Sequence, residues 1–327
     1  MPYMRFFKCI LSRPSLGNVT ALCRCVWHPK IDKIEALVYI GVVSDFPNNG
    51  GATVSHCEGC ANSSKCSPQQ KTNCGVENNE NNEIGQVIAV MSGKGGVGKS
   101  TVTALLARAL KRRGFRVGVL DADITGPSMP RVMGVAGAKV DNGMFGLVPP
   151  EDRDGIPVMS LNLLLEQEDQ PVLWRGPVIT GVIKQFWTDV FWGKQDFILI
   201  DLPPGTGDAA ITALQNLPVG GVVLVSLADD MVTMIVKKAL NMCRQMNVPV
   251  LGAVQNMAYV TAPVSGERVP LFDDGEARQT LANEGVPLLA ELPFRRGVVE
   301  GDAEVDAAMD ICAQYLGAFA EPGKDGE

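Results

Sequence analysis

"VIAVMSGKGGVGKST", Val87 to Thr101, sets a short apolar run directly before a glycine-rich loop and the start of a helical pattern. Within it "GKGGVGKS", Gly93 to Ser100, fits G-x-x-x-x-G-K-[ST] in the strand–loop–helix setting that a phosphate-binding loop requires. Glycines let backbone N–H groups converge on phosphate oxygens with no side chain in the way. The candidate cradle is therefore Gly93, Lys94, Gly95, Gly96, Val97, Gly98, Lys99, Ser100 and Thr101. Lys99 is placed to reach the β- and γ-phosphates of a nucleotide, and the Ser100 hydroxyl to ligate Mg²⁺. One lysine suffices for that work, so Lys94 needs an explanation of its own.

Outward from the loop, apolar runs alternate with helical segments. "QVIAVMS", "RVGVLDAD", "DFILIDLP", "GGVVLVSL" and "PVLGAVQN" are rich in Val, Ile and Leu on both faces, as strands buried on both sides of a parallel sheet are. Between the first two, "STVTALLARALKRRG" puts Val102, Leu105, Leu106, Ala109 and Leu110 on one helical stripe and stops at Gly114. The alternation predicts an α/β fold, a doubly wound and mostly parallel sheet with a P-loop, spanning residues 86–318. Residues 319–327 read as a disordered tail.

Carboxylates at strand C-termini open onto the crevice where a nucleotide lies in such folds. "VLDADITGPS" supplies Asp121 and Asp123, and "FILIDLPPGTGD" supplies Asp201. Asp201 is the natural partner of Mg²⁺ through water, with Asp121 a second candidate for the metal, direct or through water.

The chain has 327 residues and a net charge of −7, which offers nucleic acid no general attraction. Lys111, Arg112 and Arg113 fall at a helix end, where cations complement the dipole. No apolar run approaches the roughly 20 residues of a membrane span. A soluble, cytoplasmic protein without nucleic-acid or membrane partners is expected.

Of nine cysteines, Cys9, Cys23, Cys25, Cys57, Cys60, Cys66 and Cys74 lie in the first quarter, and only Cys243 and Cys312 follow. Clustering of this kind points to metal binding rather than to disulfides spread through a fold. Residues 1–53 are basic at the start, with no acid before Asp32, and read as an extension or a targeting segment. Residues 54–76 form a cysteine-rich segment, and 77–85, "ENNENNEI" at its heart, a polar linker. Cys243 and Cys312 sit at helical spacing among apolar neighbours and read as small core residues.

"KGGVGKST" with "DAD" and "DLPPGTGD" resembles the deviant Walker A class that includes MinD, ParA and the nitrogenase iron protein. In that class the first lysine crosses the interface of an ATP-sandwich dimer, and the resemblance gives Lys94 that part in a homodimer. "DADITGPSMPRVMG", "LWRGPVITGVIKQFWTDVFWGKQDFILIDLPPGTGDAAITALQ" and "VPVLGAVQNMAYV" resemble the Mrp/ApbC branch, the iron–sulfur cluster carrier ATPases. This resemblance implies that Asp123 polarises the attacking water and that Asn256 recognises adenine. It also implies iron–sulfur scaffold or recipient apoproteins as partners.

One departure bears on the cargo. The branch carries Cys-Pro-x-Cys after Asn-Met-x-Tyr, and two subunits hold a bridging [4Fe–4S] cluster on it. Here "NMAYVTAPVSGE" keeps Pro263 and Gly266 but has Ala262 and Ser265 in the cysteine places. Alanine cannot ligate iron, and serine is a poor substitute for a thiolate. Cys57, Cys60 and Cys66 match the spacing of the N-terminal ferredoxin-like segment of eukaryotic and archaeal members, whose fourth cysteine falls where this chain has Val43. Cys74 could complete a set of four for a [4Fe–4S] cluster or Zn²⁺, with His56 an outside candidate. A switch of the MinD or ParA type, without a cluster, is the alternative output for the same ATPase. An electron-transfer ATPase like the nitrogenase iron protein is a third.

Overall fold

The computed structural model describes residues 78–124, 126–165, 176–227, 233–272, 275–295 and 302–320. The expected extension (1–53), the cysteine-rich segment (54–76) with Cys57, Cys60, Cys66 and Cys74, and residues 321–327 lie outside the described residues.

The described strands are β1 Glu83–Ser92, β2 Val117–Asp121, β3 Asp141–Gly143, β4 Gly146–Val148, β5 Val158–Met159, β6 Lys194–Asp201, β7 Gly221–Leu227, β8 Val250–Thr261, β9 Arg268–Pro270 and β10 Leu288–Pro293. The described α-helices are α1 Lys99–Arg112, α2 Met129–Met133, α3 Gly176–Thr188, α4 Asp208–Asn216, α5 Thr233–Gln245, α6 Gly275–Asn283 and α7 Ala303–Gly317. The main sheet has the order β10-β8-β7-β1-β6-β2-β5 and is parallel throughout, except that β9 folds back antiparallel on β8. β3 and β4 make a separate hairpin. All five apolar runs are strands: β1, β2, β6, β7 and β8.

From β1 the chain leaves toward β2, whereas from β6, its neighbour, it leaves toward β7 on the other side. A crevice opens where connections part in this way, at the carboxyl ends of the strands. One face of the sheet buries Met91, Leu120, Ile183, Trp187 and Leu240 in one core, and the other buries Leu105, Leu106, Phe197, Val305 and Met309 in a second. The α1 stripe of Val102, Leu105, Leu106, Ala109 and Leu110 is buried as expected, and so are Thr103, Ala104, Ala107 and Arg108. The burial is wider than one stripe because α1 is covered by α7 as well as by the sheet. Gly114, at φ 89, ends it, a conformation that costs glycine little.

Two boundaries differ from expectation. β1 begins at Glu83, inside the expected linker, because Glu83 and Ile84 pair with Lys194 and Gln195 of β6. Asn82 just before it is tied down on both ends of its amide. Its Oδ1 accepts from the N–H groups of Trp192 (2.8 Å) and Gly193 (3.0 Å), and its Nδ2 donates to the Val190 carbonyl at 2.9 Å. Asn79 Nδ2 donates to the Phe145 carbonyl at 2.8 Å. The polarity of this stretch serves backbone capping rather than flexibility. At the other end, the Phe319 and Ala320 N–H groups bond back to Leu316 and Gly317, and the Phe319 ring packs on Tyr315. These two residues finish α7 instead of starting a tail.

Cys243 and Cys312 are fully buried in the two cores. Burial pushes the Cys243 thiol up to about 11 and the Cys312 thiol to about 12. Neither yields thiolate near neutral pH, so both are inert packing residues. Among the described residues, no helix is long and apolar enough to cross a membrane.

Candidate functional site

The loop from Gly93 to Gly98 joins the end of β1 to the first residue of α1. Gly96 and Gly98 have φ 80 and 78, the left-handed region that side chains disfavour. Gly93 is required by packing: a Cβ there would lie 2.1 Å from Ile235 Cγ2. The Ser92 hydroxyl donates to the Lys94 carbonyl at 3.0 Å, and the Gly205 N–H donates to the Ser92 carbonyl at 2.8 Å. The latter bond stitches the Pro203-Pro204-Gly205 turn after β6 to the loop. Gly95 and Gly96 are exposed, Val97 is buried, and Ser100 and Thr101 are half-buried in the first turn of α1. Lys94 is half-buried, and its ammonium makes no ion pair among the described residues.

Asp201 is the hub. It ends β6 opposite Val90 of β1 on one side and Asp121 of β2 on the other. Lys99 Nζ stands 2.7 Å from Asp201 Oδ2, which also accepts the Ser100 hydroxyl at 2.6 Å. Asp201 Oδ1 accepts the Thr103 hydroxyl at 2.8 Å. The Ser128 hydroxyl, from the turn before α2, donates to Ser100 Oγ at 2.7 Å.

Asp121 is spent differently. Its Oδ1 accepts the Asp123 N–H at 3.0 Å; its Oδ2 accepts the Met129 N–H at 3.2 Å and the Ser160 hydroxyl at 3.1 Å. Burial, reinforced by the charge of Asp201, raises its carboxyl to about 7. The two backbone donors and Lys99 pull the other way without prevailing. Asp123 is 8% exposed at the mouth of the site, its Oδ1 accepting the Gly126 N–H at 3.1 Å. Asn256, at the far end of the β7–β8 pairing, lies behind the loop, with Nδ2 donating to the Val97 carbonyl at 2.9 Å.

The arrangement suits a Mg²⁺–nucleotide. Apart from its ion pair with Asp201, the buried Lys99 ammonium has no hydrogen-bond acceptor among the described residues, so donors remain for phosphate oxygens. Side chains at Gly93 or Gly98 would fill space the loop needs. Hard oxygen donors, Ser100 and Asp201, meet beside the cradle, as Mg²⁺ prefers.

Thr103, Ser128 and Ser160 escaped the sequence reading. Thr103 had one usable signal, its place four residues after Lys99 on the same helical face. The serines had none, since their contacts arise only when distant loops meet.

This fold and site define a P-loop nucleoside triphosphatase, and the protein is an ATPase of that class. Residues 83–315 match the family model described as ParA, NUBPL iron-transfer P-loop NTPase. The chain belongs to that family. It is 44% identical over 258 residues to an iron–sulfur cluster carrier protein of Clostridium perfringens, covering 75% of this chain and 90% of the relative. A protein of the same description from Methanocaldococcus jannaschii is 39% identical over 242 residues, covering 73% and 83%. Among solved structures, a nucleotide-binding protein from Archaeoglobus fulgidus in complex with ADP aligns with TM-score 0.59 and 41% identity over 73% of this chain and 90% of that one. The cell-division ATPase MinD of Pyrococcus furiosus shares the fold, with TM-score 0.50 and 24% identity over 72% of this chain and all of its own.

Proposed function

We propose that this ATPase carries iron–sulfur clusters, working as a homodimer that closes on ATP and opens after hydrolysis. The observation that carries the reading is the Lys99–Asp201–Ser100 constellation, in a chain whose relatives are described as iron–sulfur cluster carriers. Lys99 and Asp201 neutralise each other across 2.7 Å. Lys99 is placed to turn to the β- and γ-phosphates of an entering nucleotide, and Asp201 and Ser100 would hold Mg²⁺. Bound there, the ion would offset charge on the phosphate oxygens. Asp121 has its oxygens committed to Asp123, Met129 and Ser160, so it supports the metal site by placing Asp123. Asp123 orients and polarises the attacking water. Lys94, without an ion pair among the described residues, reaches the partner subunit's nucleotide, so that charge stabilisation is complete only in the closed dimer.

The cargo is assigned to Cys57, Cys60, Cys66 and Cys74. The β8–β9 hairpin has Ala262 and Ser265 in the usual cysteine places, and Cys243 and Cys312 are sealed in the cores. Scaffold or recipient apoproteins are the expected partners.

Anaerobic reconstitution of the full chain, with iron, acid-labile sulfide and zinc measured per chain, tests this reading. Stoichiometric iron and sulfide that is lost when the four cysteines become alanine supports it. Cluster binding that survives the quadruple substitution would sink the assignment of ligands, and stoichiometric zinc without sulfide would sink the carrier role.

A further inference from the structure

The phosphate loop is held from behind by a distorted part of β8. Gln255 of β8 pairs with Glu291 of β10, and Tyr259 pairs with Pro293, so four steps along β8 match two along β10. The extra residues form a bulge over Asn256 to Ala258, and such bulges re-aim side chains. At its centre Met257 has φ 55, a conformation uncommon outside glycine and often found at functional sites. The bulge delivers Asn256, 4% exposed, to the loop, where Nδ2 donates to the Val97 carbonyl. Gly98 makes room for this contact. A Cβ there would lie 2.3 Å from Asn256 Nδ2 and 3.7 Å from Met257 Cε.

The bond has a consequence for the next peptide. In a trans peptide the carbonyl and the following N–H point in opposite directions. None of the described peptides is cis. With the Val97 carbonyl turned back onto Asn256, the Gly98 N–H is turned the other way, into the loop where phosphate oxygens are to lie. Released from Asn256, this peptide could rotate at little cost, because Gly98 has no side chain to restrict it.

We propose that Asn256 is a positioning residue for the phosphate cradle. It locks the Val97–Gly98 peptide with the Gly98 N–H facing the phosphates, and the affinity it confers is for the phosphate chain whatever base is attached. The inference rests on the assignment of this loop to ATP and adds to the adenine contact that the family resemblance implies. The two roles separate cleanly, since a base contact is worth nothing to a ligand without a base.

The experiment measures binding of ATP and of inorganic tripolyphosphate, each with Mg²⁺, to the full-length protein and to Asn256→Ala, with melting temperatures alongside. The substitution should weaken both ligands by a similar factor of about tenfold, the upper range for one hydrogen bond, at a melting temperature close to wild type. Asn256→Ser, which keeps a donor on a shorter arm, should lose less and supplies the same comparison if the alanine variant does not fold. A variant that loses ATP affinity but holds tripolyphosphate as wild type does overturns the proposal and leaves Asn256 a base reader. Wild-type protein that binds ATP but not tripolyphosphate overturns it too, because a pre-set cradle recognises the chain without the base. If wild type binds neither, the nucleotide reading falls first and the proposal with it.

Discussion

Asp121 and Asp201 stand directly opposite each other on adjacent parallel strands, both buried, and one ammonium, that of Lys99, serves the pair. Burial first, and the neighbouring charge of Asp201 second, raise the Asp121 carboxyl to about 7. The Lys99 ammonium is therefore the counter-charge for both carboxylates.

Lys99→Ala should accordingly do two things. ATP hydrolysis should fall to background in a phosphate-release assay, since the charge facing the β- and γ-phosphates is gone. The nucleotide-free protein should also lose stability, by about 3 kcal/mol, the low end for breaking a buried pair. The low end applies because Ser100 and Thr103 still donate to Asp201. Wild-type turnover in this variant would remove the phosphate-loop assignment.

Lys94→Ala should leave ATP affinity nearly unchanged while cutting turnover and weakening ATP-dependent dimerisation. Light scattering with a non-hydrolysable ATP analogue reads the last effect. A variant that dimerises and turns over normally makes Lys94 a solvated loop cation.

Asp123→Asn should slow hydrolysis at least about tenfold, the low side of general-base contributions, and lengthen the life of the ATP-bound dimer. Unchanged turnover would shift water positioning to another carboxylate, and Asp208, exposed at the first residue of α4, is next in line.

Asp196→Asn should weaken the fold in a pH-dependent way. Asp196 Oδ1 accepts from Arg116 Nη2 at 2.6 Å, and Oδ2 accepts from Arg116 Nε at 3.2 Å and its backbone N–H at 2.7 Å. The Arg116 side-chain bonds hold the carboxyl below its ordinary value, against a smaller effect of burial. A depressed folded-state value means the stabilisation is present above the unfolded carboxylate range and is lost as pH falls through the folded one. Both groups are partly solvated, so the loss should be no more than about 1 kcal/mol at pH 7. Urea midpoints of the two proteins should converge as the pH falls below the carboxylate range, and a constant gap would assign the effect to packing.

The strands legible in the sequence were those with apolar residues on both faces, from "QVIAVMS" to "PVLGAVQN". β5 and β9 were not, because two or three residues carry no period. The β3–β4 hairpin was hidden for the same reason, and β10 because Glu291 interrupts "LLAELP". Lys99, Ser100 and Asp201 were legible as a site since their chemistry is tied to fixed positions around a strand–loop–helix turn. Ser128, Ser160 and the grip of Asn256 on Val97 were not, for each joins elements far apart in the chain. Asparagine-rich polarity was misleading: in Asn79 and Asn82 it marks amides that cap backbone, and the same letters could equally belong to a solvated linker.

The clasp at Asn82 decides where this chain can be cut. A deletion starting at Ile84 would remove three side-chain hydrogen bonds to Val190, Trp192 and Gly193, the Glu83 N–H bond to the Gly193 carbonyl, and the first step of the β1–β6 pairing. At roughly 0.5–1.5 kcal/mol for each bond, such a truncation would unsettle the central strand that leads into the phosphate loop. Its failure to bind ATP would then be mistaken for a requirement for the cysteines. A deletion that starts at Asn78 keeps Asn79 and Asn82 at their posts, and any nucleotide binding it loses can be charged to the removed residues themselves.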